Sequence, residues 1–298
     1  MRFGWPLLLL LSSCSGQPTI TPGGIVSNNP CIDSVLAEIA ASGQIAAVST
    51  YSHDPDSSSA PLAWALNLPA IGTSAEEIIA ARPALLLTGN FASNGTNAAL
   101  AKAGVKSVAL GVPATVAESV AQVREIAKAI GRVDAGEVLV ERIEDSLLML
   151  HHAVIASEAG QTRAALRNTG LPRFARNDEI RRASAPPSAI IWQTGGFVAG
   201  KGTLQDELLA RAGYANASAT YGLKQWDILP LETLIRQPPA VIFMPRSAKG
   251  DDARAFTRRE DVLRHLRGRT RIVEFPDKLL FCGGPTIIKV MDVMRSAR

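Results

Sequence analysis

The nine residues Gly195-Gly-Phe-Val-Ala-Gly-Lys-Gly-Thr203 come nearest to a chemical motif in this chain. They stand between an apolar run and an amphipathic one, where a phosphate-binding loop belongs. Such loops read G-x-x-x-x-G-K-[ST]: the glycines let backbone N–H groups reach the phosphates, and the hydroxyl binds magnesium. Gly195, Gly200 and Lys201 fit, but Gly202 takes the hydroxyl's place and Thr203 arrives one residue late. That slip costs the metal a ligand, and neither apolar strand of the repeat described below ends in the acid that would hold it. The run reads better as a loop that brings backbone close to some other ligand. An exported enzyme built on this loop is the alternative reading.

No other constellation suggests chemistry. His151 and His152 are adjacent, so on a helix their side chains diverge by about 100°. His265 lies in a charged helix. His53 stands alone in a loop, where it could touch a ligand, but no partner follows at metal-ligand spacing. A free zinc or manganese site is disfavoured for that reason. There is no G-x-S-x-G elbow and no suggestive acid pair. The reading is therefore a binding protein without catalytic residues, metal site or resident cofactor. Beyond Cys14, two cysteines remain, Cys31 and Cys282. An oxidising compartment permits a disulfide between them, and two separate packed thiols are equally compatible.

The elements that position these residues are organised by a repeat. Ser74-Ala-Glu-Glu-Ile-Ile-Ala-Ala-Arg-Pro-Ala-Leu-Leu-Leu87 aligns with Pro230-Leu-Glu-Thr-Leu-Ile-Arg-Gln-Pro-Pro-Ala-Val-Ile-Phe243, placing Glu76 on Glu232 and Pro83 on Pro239. Each copy predicts a short helix that stops at proline and feeds a strand covered on both faces. Strands alternate with helices throughout, which predicts mostly parallel sheets. Residues 134–159 form the longest helical period, with Val138, Ile143, Leu147, Leu150 and Val154 on the apolar stripe. About 25 helical residues extend roughly 37 Å, enough to run the height of one lobe and reach a second. Residues 160–187 are arginine-rich and read as a solvated, mobile insertion.

Bulk composition is ordinary. The 298 residues are 47% hydrophobic with a net charge of +4, too small to imply a nucleic-acid surface. At the start, Arg2 and Leu7–Leu11 precede Leu11-Ser-Ser-Cys14, which resembles a bacterial lipobox. Residues 1–14 are thus a lipoprotein-type signal, with Cys14 acylated, and 15–24 a flexible tether. The apolar run is too short to span a bilayer. The protein is expected in the periplasm, held to a membrane through lipid alone.

The chain resembles the substrate-binding proteins of bacterial ABC importers for metal chelates: cobalamin, ferric siderophores and heme. The resemblance rests on Ile25-Val-Ser-Asn-Asn-Pro-Cys31, on residues 75–87, on residues 199–213 and on Leu229-Pro-Leu-Glu-Thr-Leu-Ile235. It implies an α/β fold of two Rossmann-like lobes with mostly parallel sheets, joined by a single long helix. Residues 25–133 would be the N-terminal lobe, 134–159 the connecting helix and 188–298 the C-terminal lobe. The chelate would lie between the lobes, against Asn28, Asn29, Pro30, Tyr51, His53, Asn90, Phe91, Gly196, Phe197, Trp226 and Gly283. Glu76 and Glu232 would dock on arginines of a permease dimer, with the protein itself a monomer. The insertion at 160–187 is longer than the family's usual link. With no cluster of acids or arginines evident, a near-neutral corrinoid is favoured over a triply charged catecholate siderophore.

Overall fold

The computed structural model describes residues 19–148, 185–245 and 253–298. The signal segment with Cys14, the first part of the tether, the end of the connecting helix with His151 and His152, and residues 160–184 of the basic insertion lie outside the described residues.

The first half supplies β1 (Ile25–Ser27), β2 (Ile45–Ser49), β3 (Ala70–Ile71), β4 (Leu85–Gly89) and β5 (Ser107–Leu110). They form one parallel sheet in the order β3-β2-β1-β4-β5. The second half supplies β6 (Ser188–Ile191), β7 (Phe197–Ala199), β8 (Ala215–Asn216), β9 (Trp226–Ile228), β10 (Val241–Met244) and β11 (Arg271–Glu274). Here the parallel order is β11-β10-β6-β8, and β7 pairs with β9 as a separate antiparallel ribbon. The two sheets follow one plan. The chain starts in the interior at β1 or β6, builds to one side, then returns to the other. The repeat falls at matching places: β4 lies between β1 and β5, and β10 between β6 and β11. The preceding helices are α3 (Ala75–Ala81) and α9 (Leu231–Arg236). Arg82 closes α3 in the left-handed region at φ 45°, so the stop is made before Pro83 is reached.

The remaining helices fill the sheet faces: α1 (Pro30–Ile39), α2 (Leu62–Ala65), α4 (Asn94–Lys102), α5 (Val116–Ala129), α6 (133–148), α7 (Leu204–Arg211), α8 (Ala217–Thr220), α10 (Ala253–Leu266) and α11 (Thr286–Ser296). Helix α1 begins two residues earlier than its apolar period suggests. Proline is at home in a first turn, and the Asn29 side chain accepts from the Cys31 and Ile32 N–H groups. In α6 the buried stripe is Leu139, Val140, Ile143 and Leu147, while Val138 faces solvent. The sequence put Val138 on the wrong face because five-residue steps slip from helical spacing.

The lobes are not merely linked by a rod. One apolar cluster takes in Leu36 of α1, Val123 of α5, Ile143 of α6, Phe243 of β10 and Met291 of α11. The halves are thus fused through one apolar core.

Candidate functional site: a cleft between the lobes

In open parallel sheets, ligands bind beyond the carboxyl ends of the strands, beside the point where strand order reverses. In the N-terminal lobe the order reverses between β1 and β4, so that rule selects the residues after those two strands, and the turn after β2 stands one strand away. After β2 the chain makes a single tight helical turn, Thr50–His53. The turn is held from three sides. Asp33 Oδ2 accepts from the Ser49 N–H at 2.8 Å and from the Ser52 hydroxyl at 2.6 Å. Ser49 Oγ accepts from the Tyr51 N–H at 3.3 Å. His53 Nε2 lies 3.0 Å from the Ala65 carbonyl and 3.1 Å from that of Leu68. The Tyr51 side chain is left 57% exposed. Asp33 itself is fully buried, and burial pushes its carboxyl up to about 7 against the hydrogen bonds of Ser27, Ser52 and Ser49.

Tyr51 lines a cavity of about 850 Å³ shared by both lobes. Pro30, Cys31 and the loop 54–59 form the N-terminal wall. Pro245, Glu274 and the segment from Pro276 to Cys282 face them. Phe281, 58% exposed, is the C-terminal aromatic in this wall. Four carboxylates, Asp54, Asp56, Glu274 and Asp277, and one ammonium, Lys278, gather here. Asp277 Oδ2 accepts from the Thr194 hydroxyl at 2.6 Å.

Below the cavity the lobes are sewn together. Cys31 and Cys282 form a disulfide, with Cα atoms 5.0 Å apart, across 251 residues of chain. This resolves the choice that the two cysteines left open. Around it, the Ser59 hydroxyl donates to the Lys278 carbonyl and Lys278 Nζ donates to the Pro55 carbonyl. Lys289 Nζ donates to the Ser59 carbonyl, and the Gly284 N–H to Ser119 Oγ at 2.7 Å. Farther back, the Val116 N–H at the start of α5 donates to Glu207 of α7 at 2.8 Å. A carboxylate at a helix amino end is favourably placed.

The expected ligand residues do not all converge. Pro30 and Tyr51 line the cavity. Asn29 spends its side-chain oxygen on capping α1, and Asn28 is largely buried, its N–H bonded to the Leu87 carbonyl. His53 turns its Nε2 onto backbone carbonyls. Gly283 is buried in the seam, where a Cβ would strike Ser119 and Pro113. Asn90 and Phe91 are exposed after β4; Phe197 and Trp226 are exposed on the β7–β9 ribbon after β6. None of these four is among the residues lining the cavity. Glu76 and Glu232 are exposed in the first turns of α3 and α9. The acids, Lys278 and Phe281 escaped sequence reading because they lie far apart in the chain. The usable signal was their place, in the loops after β2 and β11 and, for Glu274, at the end of β11 itself.

The glycine-rich run is not a phosphate cradle. Three of its glycine N–H groups are already used: Gly196 donates to the Gln193 carbonyl, Gly200 to that of Gln225, and Gly202 to Asp206. Gly200 is demanded by packing, since a Cβ there would fall on the Lys224 carbonyl oxygen. Among the described residues, no group of three or more His, Cys, Asp or Glu side chains could hold a metal ion, and no helix is long and apolar enough to cross a membrane.

Residues 25–267 match a family profile described as "Periplasmic binding protein". No curated protein sequence matches. Solved structures do. The periplasmic heme-binding protein RhuT from Roseiflexus sp. RS-1 is 22% identical, with a TM-score of 0.62, over 93% of this chain and 99% of that one. The periplasmic heme-binding protein HutB of Vibrio cholerae is 17% identical, with a TM-score of 0.68, over 92% and 98%. A periplasmic heme-binding protein from Pseudomonas aeruginosa is 20% identical, with a TM-score of 0.63, over 93% and 92%. At these identities the likeness is one of fold.

Proposed function

The chain belongs to the periplasmic binding protein family, and from that premise we propose that it captures a metal chelate between its lobes and hands it to an ABC importer. We place iron porphyrin first, ahead of the corrinoid and the ferric siderophore. The observation that carries this is Tyr51: an exposed phenol on a rigid turn, opening into a cavity of about 850 Å³. A volume of that size lies toward the upper end of small-molecule pockets. A phenolate oxygen is a hard anionic donor that suits ferric iron, and tyrosine is a known axial ligand of heme. Phe281, in the opposite wall, offers an apolar face for a flat macrocycle. The names of RhuT, HutB and the Pseudomonas protein as heme-binding agree with this choice.

Capture would leave the cargo chemically intact apart from one coordinate bond from Tyr51, whose phenolic proton would pass to solvent. The cargo enters from the open side, and the seam restricts the lobes to small relative movement. Glu76 and Glu232, one exposed acid per lobe, would meet arginines of a permease dimer through charge-assisted bonds. Cys14 would hold the protein at the membrane through lipid. Titration of the purified protein with hemin, cyanocobalamin and a ferric siderophore, followed by absorbance and tryptophan fluorescence, tests the reading. Hemin is expected to bind with an altered spectrum that Tyr51→Phe abolishes. Binding of cyanocobalamin or the siderophore alone would overturn the choice of heme. Exchanging Glu76 and Glu232 for Ala is expected to leave affinity intact and stop uptake.

A further inference from the structure

Tyr51 projects from a turn of four residues, and such a turn has too few internal hydrogen bonds to hold one side chain in place. What fixes it comes from another element. Asp33 lies in the first turn of α1, wholly buried, and its Oδ2 takes both the Ser49 N–H and the Ser52 hydroxyl. These two donors flank Tyr51 on either side. Helix α1 is itself anchored to the facing lobe two residues earlier, through the Cys31–Cys282 disulfide.

We propose that Asp33 is a positioning residue for the ligand site: it sets the height and direction of the Tyr51 phenol above the floor of the cleft. This rests on the reading of Tyr51 as the group that meets the iron of heme. Asp33 touches no cargo. It acts by fixing the two residues around Tyr51 to α1, so that the phenol meets the metal without first being ordered. Preorganisation of this kind raises affinity by removing the ordering cost from binding.

The test uses the full-length chain and hemin. Asp33→Ala removes the acceptor; Asp33→Asn keeps an oxygen able to accept from Ser49 and Ser52. Asp33→Ala is expected to weaken hemin binding by about tenfold, the upper end of the loss usual for an intramolecular hydrogen bond. It should also lose the phenolate-to-iron absorption band expected of the wild type. Asp33→Asn is expected to restore both. Because Asp33→Ala risks unfolding, Ser52→Ala serves as the milder variant, with a smaller loss in the same direction. Amide exchange at residues 49–53, measured without hemin, should quicken in Asp33→Ala and Ser52→Ala relative to the wild type. If Asp33→Ala and Ser52→Ala keep wild-type affinity and band while Tyr51→Phe loses them, the positioning role is overturned and the site reading stands. If wild-type protein binds no hemin, the site reading fails and the role assigned to Asp33 fails with it. Loss in Asp33→Ala that Asp33→Asn does not restore would also overturn it.

Discussion

The cleft has two sides, built differently. On the side of β2 and β11, Tyr51 and Phe281 stand over a seam with a disulfide, four interlobe hydrogen bonds from side chains or to them, and a buried acid. On the side of β4 and β6, Phe91 and the β7–β9 ribbon expose Phe197, Trp226 and Ile228, and neither Phe91 nor the ribbon belongs to the cavity. The first side fixes geometry; the second offers apolar surface on short elements, with Val198 and the adjoining Leu229 packed on the C-terminal core. A side chain that must meet a metal at a set distance needs the former. Aromatic side chains that cover a flat ligand tolerate the latter.

The comparison breaks most directly at the disulfide. In the chain-entropy account, a cross-link closing so long a loop contributes on the order of 5 kcal/mol. Replacing Cys31 and Cys282 together with Ser should therefore lower stability by roughly 2–5 kcal/mol in urea unfolding, and cleavage of the native bond by a reductant should do the same. A loss well below 1 kcal/mol would mean that the shared apolar core already holds the lobes without it.

Asp33 gives the next largest effect, and its sign is unusual. Its folded value, about 7, lies above the ordinary 3.8, so the folded state keeps a proton that the unfolded chain has released. The contribution of this group to stability is full below pH 4 and falls as pH rises towards 7, after which it is constant. The whole swing is on the order of 4 kcal/mol. Asp33→Asn should lack it. The difference in unfolding free energy between wild type and Asp33→Asn, followed from pH 5 to pH 8, should move against the wild type up to about pH 7 and then level off. A flat difference would show that Asp33 keeps its proton in neither state.

How much of this was legible in the sequence depends on distance along the chain. The repeat at residues 74–87 and 230–243 was readable because helix, stop and strand are local, and it lands at equivalent places in both sheets. Tyr51 was readable as an aromatic in a polar loop. His53 carried the same signal, yet its ring is turned onto the Ala65 and Leu68 carbonyls. Sequence gives the loop but not which way a ring faces within it. Gly283 was expected in the cleft on the family resemblance alone, and the structure packs it against Ser119 of the other lobe. Asp33 gave no signal, because an acid in a first helical turn is ordinarily a dipole partner at the surface. The disulfide was open for the reason that any pairing across 251 residues is: only the fold brings the ends together.

Gly283→Ala sharpens the seam more gently. The added methyl must displace Ser119 Oγ or Pro113, and overpacking of this kind costs typically about 1–3 kcal/mol. The adjacent Gly284 N–H bond to Ser119 should loosen with it, visible as faster amide exchange at Gly284. Ser119→Ala combined with Gly283→Ala should recover part of the loss, since the clash is removed along with its partner. No recovery would place the strain at Pro113 instead.

The smallest effect belongs to the other side of the cleft. Trp226→Ala and Phe91→Ala remove exposed side chains with few buried neighbours, so stability should change by no more than about 0.5 kcal/mol. Hemin affinity should fall less than about threefold for either one, against a far larger loss at Tyr51. The reasoning is geometric: both lie outside the cavity that Tyr51 and Phe281 line, and an apolar face that touches the cargo only at its edge contributes little once the macrocycle is held elsewhere. Should Trp226→Ala cost tenfold or more, the ribbon would have to close over the cargo when it binds. The two sides would then work as one enclosure, with the rigid side setting the metal and the ribbon excluding water from it.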